Sequence, residues 1–143
     1  MTIHQISVFL ENRAGQLAEI TDVLAKKGID LRAINIAETS DYGVLRLIAD
    51  KPQEAATTLL EQGFILSMTP VVAVSVPDQP GGLAKVLDVL AKENIDVEYM
   101  YSVFGQVEGL AHMVFRVADT DKLISVLKDN GVEPISGENL GIR

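Results

Sequence analysis

Residues 12–31 read NRAGQLAEITDVLAKKGIDL, and residues 78–97 read DQPGGLAKVLDVLAKENIDV. Aligned without a gap, the two stretches share Gly15/Gly81, Leu17/Leu83, Ala18/Ala84, Asp22/Asp88, Val23/Val89, Leu24/Leu90, Ala25/Ala91, Lys26/Lys92, Ile29/Ile95 and Asp30/Asp96. Self-similarity of this kind marks one structural unit used twice. Each stretch opens on a glycine turn and continues with apolar residues at helical spacing. Leu17, Ile20 and Leu24 fall on one face in the first copy, and Leu83, Val86, Leu87 and Leu90 do so in the second. Gly28 and Asn94 stand where the helices must end, and both residue types tolerate the left-handed backbone that closes a helix.

The flanks repeat as well. Ile6, Val8 and Leu10 alternate before the first turn, and Val72, Val74 and Val76 before the second. That period of two predicts a strand with one buried face. After each helix, residues 29–37 and 95–103 are rich in β-branched and aromatic side chains and read as strands. Polar turns follow at 38–41 and 104–109, then strands at 44–49 and 111–118. A second helix is predicted over 52–62, with Pro52 in its first turn, and its counterpart over 120–130, capped by the Asp119-Thr120-Asp121 cluster. Gly63 and Gly131 stop these helices, and short strands at 64–68 and 132–135 end each copy.

The order strand, helix, strand, strand, helix, strand therefore occurs twice. It predicts an α+β fold of two tandem ferredoxin-like βαββαβ modules, each an antiparallel sheet with its helices on one face. The modules are expected at residues 1–69 and 70–143, with only Thr69-Pro70 as linker.

Bulk composition narrows the function. The 143 residues are 48% hydrophobic and 22% charged, normal for a folded soluble chain. The net charge of -8, from 12 Lys plus Arg against 20 Asp plus Glu, argues against nucleic acid and anionic membranes as partners. With no cysteine, thiolate catalysis, disulfides and Cys-type zinc sites are excluded, and a cytoplasmic location is favoured. No signal peptide or membrane-spanning stretch is read from the sequence. His4 and His112 are the only histidines, and nothing in the sequence positions carboxylates beside them as metal ligands. No cofactor is expected.

The chemistry-bearing segments are the two glycine turns, Asn12-Arg13-Ala14-Gly15-Gln16-Leu17 and Asp78-Gln79-Pro80-Gly81-Gly82-Leu83. Each feeds a helix N-terminus, where unpaired N–H groups and the helix dipole favour a carboxylate. Asn12 or Asp78 is placed to accept a hydrogen bond from an ammonium, so one loop can hold both ends of a zwitterion. The same two residues also suit plain turn and capping roles.

The pattern Asp/Asn-x-Pro/Ala-Gly-x-Leu, set between a hydrophobic strand and a helix ending in Gly28-Ile29-Asp30 or Asn94-Ile95-Asp96, resembles the ACT domain. The resemblance covers nearly the whole chain as two copies. Asp78 to Leu83 match the pattern closely, whereas Asn12 and Ala14 replace its Asp and Pro in the first copy. The resemblance implies a regulatory, non-catalytic module that binds a free amino acid. It places the ligand between the glycine loop of one ACT domain and the second strand of its neighbour. Carried over, the contacts would be residues 12–17 and 78–83 with Asn35, Ile36, Tyr101 and Ser102. A homodimer is the expected assembly, and the regulated enzyme is not readable. Two alternatives stand beside this: a ligand-free scaffold, and an acylphosphatase-like hydrolase using Arg13 and Asn35, whose copy-two counterparts are Gln79 and Tyr101.

Overall fold

The protein is described by a computed structural model covering residues 1–11, 13–38, 42–105 and 107–143. Asn12, the turn residues 39–41 and Gln106 lie outside the described residues. The chain forms two compact units. One comprises His4–Thr69 with Leu140–Arg143, and the other Met1–Ile3 with Pro70–Asn139.

The first unit contains β1 (Ile3–Glu11), α1 (Gln16–Lys26), β2 (Leu31–Glu38), β3 (Tyr42–Ala49), α2 (Pro52–Glu61) and the start of β4 (Leu66–Pro77). Its sheet order is β2-β3-β1-β4. Both β1 and β2 pair antiparallel with β3, with Ile6 opposite Leu47 and Ile36 opposite Leu45. The alternating residues of β1 and β3 supply Ile6, Val8, Leu45 and Leu47 to one face, and α1 and α2 cover that face with Ile20, Leu24, Ala55 and Leu59. Both helices therefore sit on one side of the sheet, over that apolar floor. The last residues of the chain return to this unit. Arg32 Nε donates to the Leu140 carbonyl at 3.1 Å, and the Arg143 N–H donates to the Asp50 carbonyl at 2.6 Å.

The second unit repeats the plan with the rest of β4, α3 (Gly82–Lys92), β5 (Tyr99–Ser102), β6 (Leu110–Arg116), α4 (Thr120–Asp129) and β7 (Pro134–Ile135). β4 pairs with β6 and β7, and β5 with β6, all antiparallel. Val72, Val74, Val86 and Leu90 occupy the places of Ile6, Val8, Ile20 and Leu24, packed with Phe115, Leu123 and Leu127. The α+β class and the two ferredoxin-like modules read from the sequence are what the structure shows.

Several boundaries differ from the expectation. Thr69-Pro70 is not a linker but lies inside the single strand β4. Proline fits extended backbone, and the Pro70 carbonyl accepts Arg116 Nη1 at 2.9 Å. β5 is shorter than residues 95–103 and runs only over Tyr99–Ser102. The final strand shrinks to Pro134–Ile135. No helix among the described residues is long and apolar enough to cross a membrane.

Candidate functional site

In a βαββαβ module the β1–α1 loop, the β2–β3 hairpin and the α2–β4 turn gather at one end of the sheet. In the first unit this end carries two adjoining clefts. One, of about 140 Å³, is lined by Arg13, Gln16, Leu17, Ile36, Glu38 and Tyr42, together with the chain around Leu10, Glu11 and Gly43. The other, of about 160 Å³, lies between Phe9, Gln16, Tyr42 and residues 63–65. Both fall below the ~300 Å³ at which pockets for drug-sized ligands begin, which fits an occupant of amino-acid size.

Gly15 opens α1 with φ at 87°, a left-handed value that an L side chain rarely adopts. The turn aims the first N–H groups of the helix, which have no partner within it, toward the loop end of the module. Gln16 follows. Its side chain is only 6% exposed and reaches both clefts. Its Oε1 is buried without a hydrogen-bond partner among the described residues. Arg13 stands at the rim, 3.1 Å from Glu19 and 3.5 Å from Glu11. With Glu38 also on the wall, carboxylates outnumber the one guanidinium there.

The structure brings together Arg13, Gln16, Leu17 and Ile36, all from one module. Ala14 and Gly15 are exposed in the same loop. Asn35 is not joined to them. Ile34 packs into the helix-side core, so Asn35 faces the other side of the sheet. There its Oδ1 accepts Arg46 Nη1 at 3.0 Å. Arg13 lines the cleft and Asn35 does not, so this cleft does not join the two residues of the acylphosphatase-like alternative.

The second loop is arranged differently. Gly81 again opens the helix, with φ at 84°. The Asp78 N–H donates to the Gly109 carbonyl at 2.9 Å, and Asp78 shares a cleft of about 420 Å³ with Val107, Glu108 and Leu110 of the β5–β6 hairpin. Gln79 and Pro80 are exposed. Gly82 is buried and, with Val86, lines an apolar cleft of about 250 Å³ between Pro77, α3 and the turn at Asn130 and Val132; Leu83 packs against the core. Tyr101 is buried opposite Val114, its ring stacked 6.4 Å from that of Tyr99, on the face away from α3 and α4. Ser102 is exposed opposite Met113.

Sequence reasoning did not single out Glu38, Tyr42, Phe9 or Ile65. The topology it predicted was signal enough, since it sends the hairpin and the α2–β4 turn to the loop end. A larger cleft, of about 440 Å³, lies at the other end of the second module between Asn94, Asp96, Glu98, Asp119 and Lys122. The Asp119 carboxylate there is already engaged as the cap of α4, accepting the Lys122 N–H at 3.0 Å. No cluster of three His, Cys, Asp or Glu able to hold a metal occurs among the described residues.

A family profile described as an ACT domain pair matches residues 1–142. The chain belongs to the ACT domain pair family. ACT domain pairs are a regulatory, amino-acid-binding fold family. Among solved structures, this pair is similar to protein BT0572 from Bacteroides thetaiotaomicron, with 43% identity and a TM-score of 0.92 over 99% of this chain and 96% of that one. It is also similar to the regulatory subunit of aspartate kinase from Thermus thermophilus in a ligand-free form, at 18% identity and a TM-score of 0.64, covering 88% of this chain and 91% of that one. The corresponding subunit from Thermus flavus has 18% identity and a TM-score of 0.61, with 87% and 88% covered. Those two likenesses show a shared fold. No curated protein matches the sequence.

Proposed function

We propose that this ACT domain pair is a non-catalytic sensor that binds a free amino acid at a glycine-loop end and reports its presence to a protein partner. The observation that carries the reading is the cleft at the opening of α1, of about 140 Å³, where Gln16 with its buried unpartnered acceptor meets an apolar wall of Leu17 and Ile36. The amides of residues 15–18, or the matching ones at 81–84, favour the ligand carboxylate. A side-chain oxygen of the loop favours the ammonium, and Gln16 Oε1 is the buried, unpartnered one among the described residues. The ligand side chain would lie against Ile36 and Leu17.

The neighbouring module is supplied by a second copy of the chain. β2 is an edge strand of eight residues with Ile36 46% exposed, and an open edge of this length favours strand pairing between copies. Ligand at that seam shifts the population of one packing, which the partner reads. A shared fold with regulatory subunits of aspartate kinase supports a partner that is an enzyme. A chain without cysteine suits the reducing cytoplasm, where we place it.

A thermal-shift screen against the proteinogenic amino acids tests the reading. A true ligand at 100 times its dissociation constant adds about 2.7 kcal/mol to stability. The expected result is a rise in melting temperature with one or a few amino acids. A flat response to all of them rejects the sensor and leaves a ligand-free scaffold.

A further inference from the structure

The two loops occupy equivalent places and differ at four of their six positions, of which the last changes the space beside the helix start. The first copy has Gln16 where the second has Gly82. Up to that point they run alike. Arg13 N–H donates to the Glu11 carbonyl, as Gln79 N–H does to that of Pro77, both at 2.9 Å. At Gly82 the chain then presses onto its own approach. A Cβ there would meet the Pro77 carbonyl oxygen at 2.0 Å, and the Gly82 N–H is already spent on the Gln79 carbonyl at 3.0 Å. The Pro77 carbonyl leaves no room for a side chain where the first copy carries Gln16, and Gly82 lines an apolar cleft instead.

Gln16 presents the opposite situation. An amide oxygen buried without a partner costs roughly 1–3 kcal/mol, so it marks a place where a donor is missing. The donor must be small to enter the clefts that Gln16 lines. The surrounding charge selects its sign. Glu11, Glu19 and Glu38 face one guanidinium, that of Arg13, which is already paired. An excess of carboxylate around a buried acceptor attracts a cationic N–H donor.

Building on the sensor reading, we propose that the ligand site is confined to the first copy, where Gln16 Oε1 accepts an N–H of the ligand's ammonium group, while the second copy has Gly82 at that place and offers no side-chain acceptor there. The better match to the ACT loop pattern, in residues 78–83, is then structural.

Isothermal titration of the full chain with each proteinogenic L-amino acid at millimolar concentration tests this. The expected result is one molecule bound per chain. Gln16→Met keeps the side-chain volume and removes the acceptor. It should weaken binding at least about tenfold, while the melting temperature without ligand stays the same or rises, because an unpaired buried oxygen is gone. Asp78→Ala should leave the affinity unchanged. Two molecules per chain, full affinity in Gln16→Met, or loss of binding in Asp78→Ala overturns the confinement to the first copy and leaves the sensor reading standing. A fall in the melting temperature of Gln16→Met with affinity intact makes Gln16 structural and also overturns it. No binding of any amino acid overturns both.

Discussion

Gly81 and Gly82 are adjacent but are glycines for different reasons. Gly81 needs its left-handed dihedral, and a Cβ there would meet nothing within 4 Å. Gly82 needs empty space beside the Pro77 carbonyl. Gly81→Ala should therefore lose only the dihedral preference, about 1–2 kcal/mol. Gly82→Ala must displace backbone and should cost more. Denaturant titration of the two variants checks the order, and equal losses would show that the loop yields at Pro77. The sequence revealed the first reason and hid the second. Repetition of Gly15 and Gly81 at a strand-to-helix junction points to a special dihedral, whereas a contact between residues 77 and 82 exists only once the loop is folded. The burial of Gln16 was hidden for the same reason. Glutamine at the first position of a helix looks like a solvated residue until the hairpin and the α2–β4 turn close over it.

At the scale of elements, the helices differ in how their first turns are satisfied. Asp119 caps α4 through the Lys122 N–H, while Lys51 stands at the same place before α2 with no side-chain cap. Asp119→Ala should lose about 1 kcal/mol and Lys51→Asp should gain a similar amount. Thermal unfolding of the pair reads both signs, and a stabilising Asp119→Ala would contradict the capping geometry. Strand and helix identities were readable because Ile6, Val8, Leu45 and Leu47 keep a period of two while Ile20 and Leu24 keep a helical one. The ends were not. Pairing partners decide where a strand stops, so β4 runs through Thr69-Pro70, and β5 begins only at Tyr99, opposite Arg116. Core positions follow the repeat closely enough to predict energies. Leu24→Ala and Leu90→Ala each empty a fully buried site and should each cost about 2–5 kcal/mol. A loss near zero at either one would mean that its module's core is not packed as described.

For the whole molecule, the repeat fixed the plan and the charge constrains the assembly. A chain of net charge -8 that self-associates must bring like charges together. Dimers joined at the β2 edge should therefore tighten as salt screens that repulsion. Light scattering after size exclusion at low and moderate ionic strength measures this, and a monomer under both conditions would rule out a partner strand at the site. The family was visible in the sequence, since the glycine loop recurs at the same junction twice. Which loop works was not visible, because that depends on one buried amide and one backbone contact.

The most direct test follows backbone amides by NMR while an amino acid found to stabilise the protein is titrated in. The account predicts that the resonances of Gly15, Gln16, Leu17 and Ala18 move first and furthest, as their N–H groups take the carboxylate. Shifts centred instead on the cleft of Asn94, Asp96 and Lys122, with residues 15–18 unmoved, would contradict it.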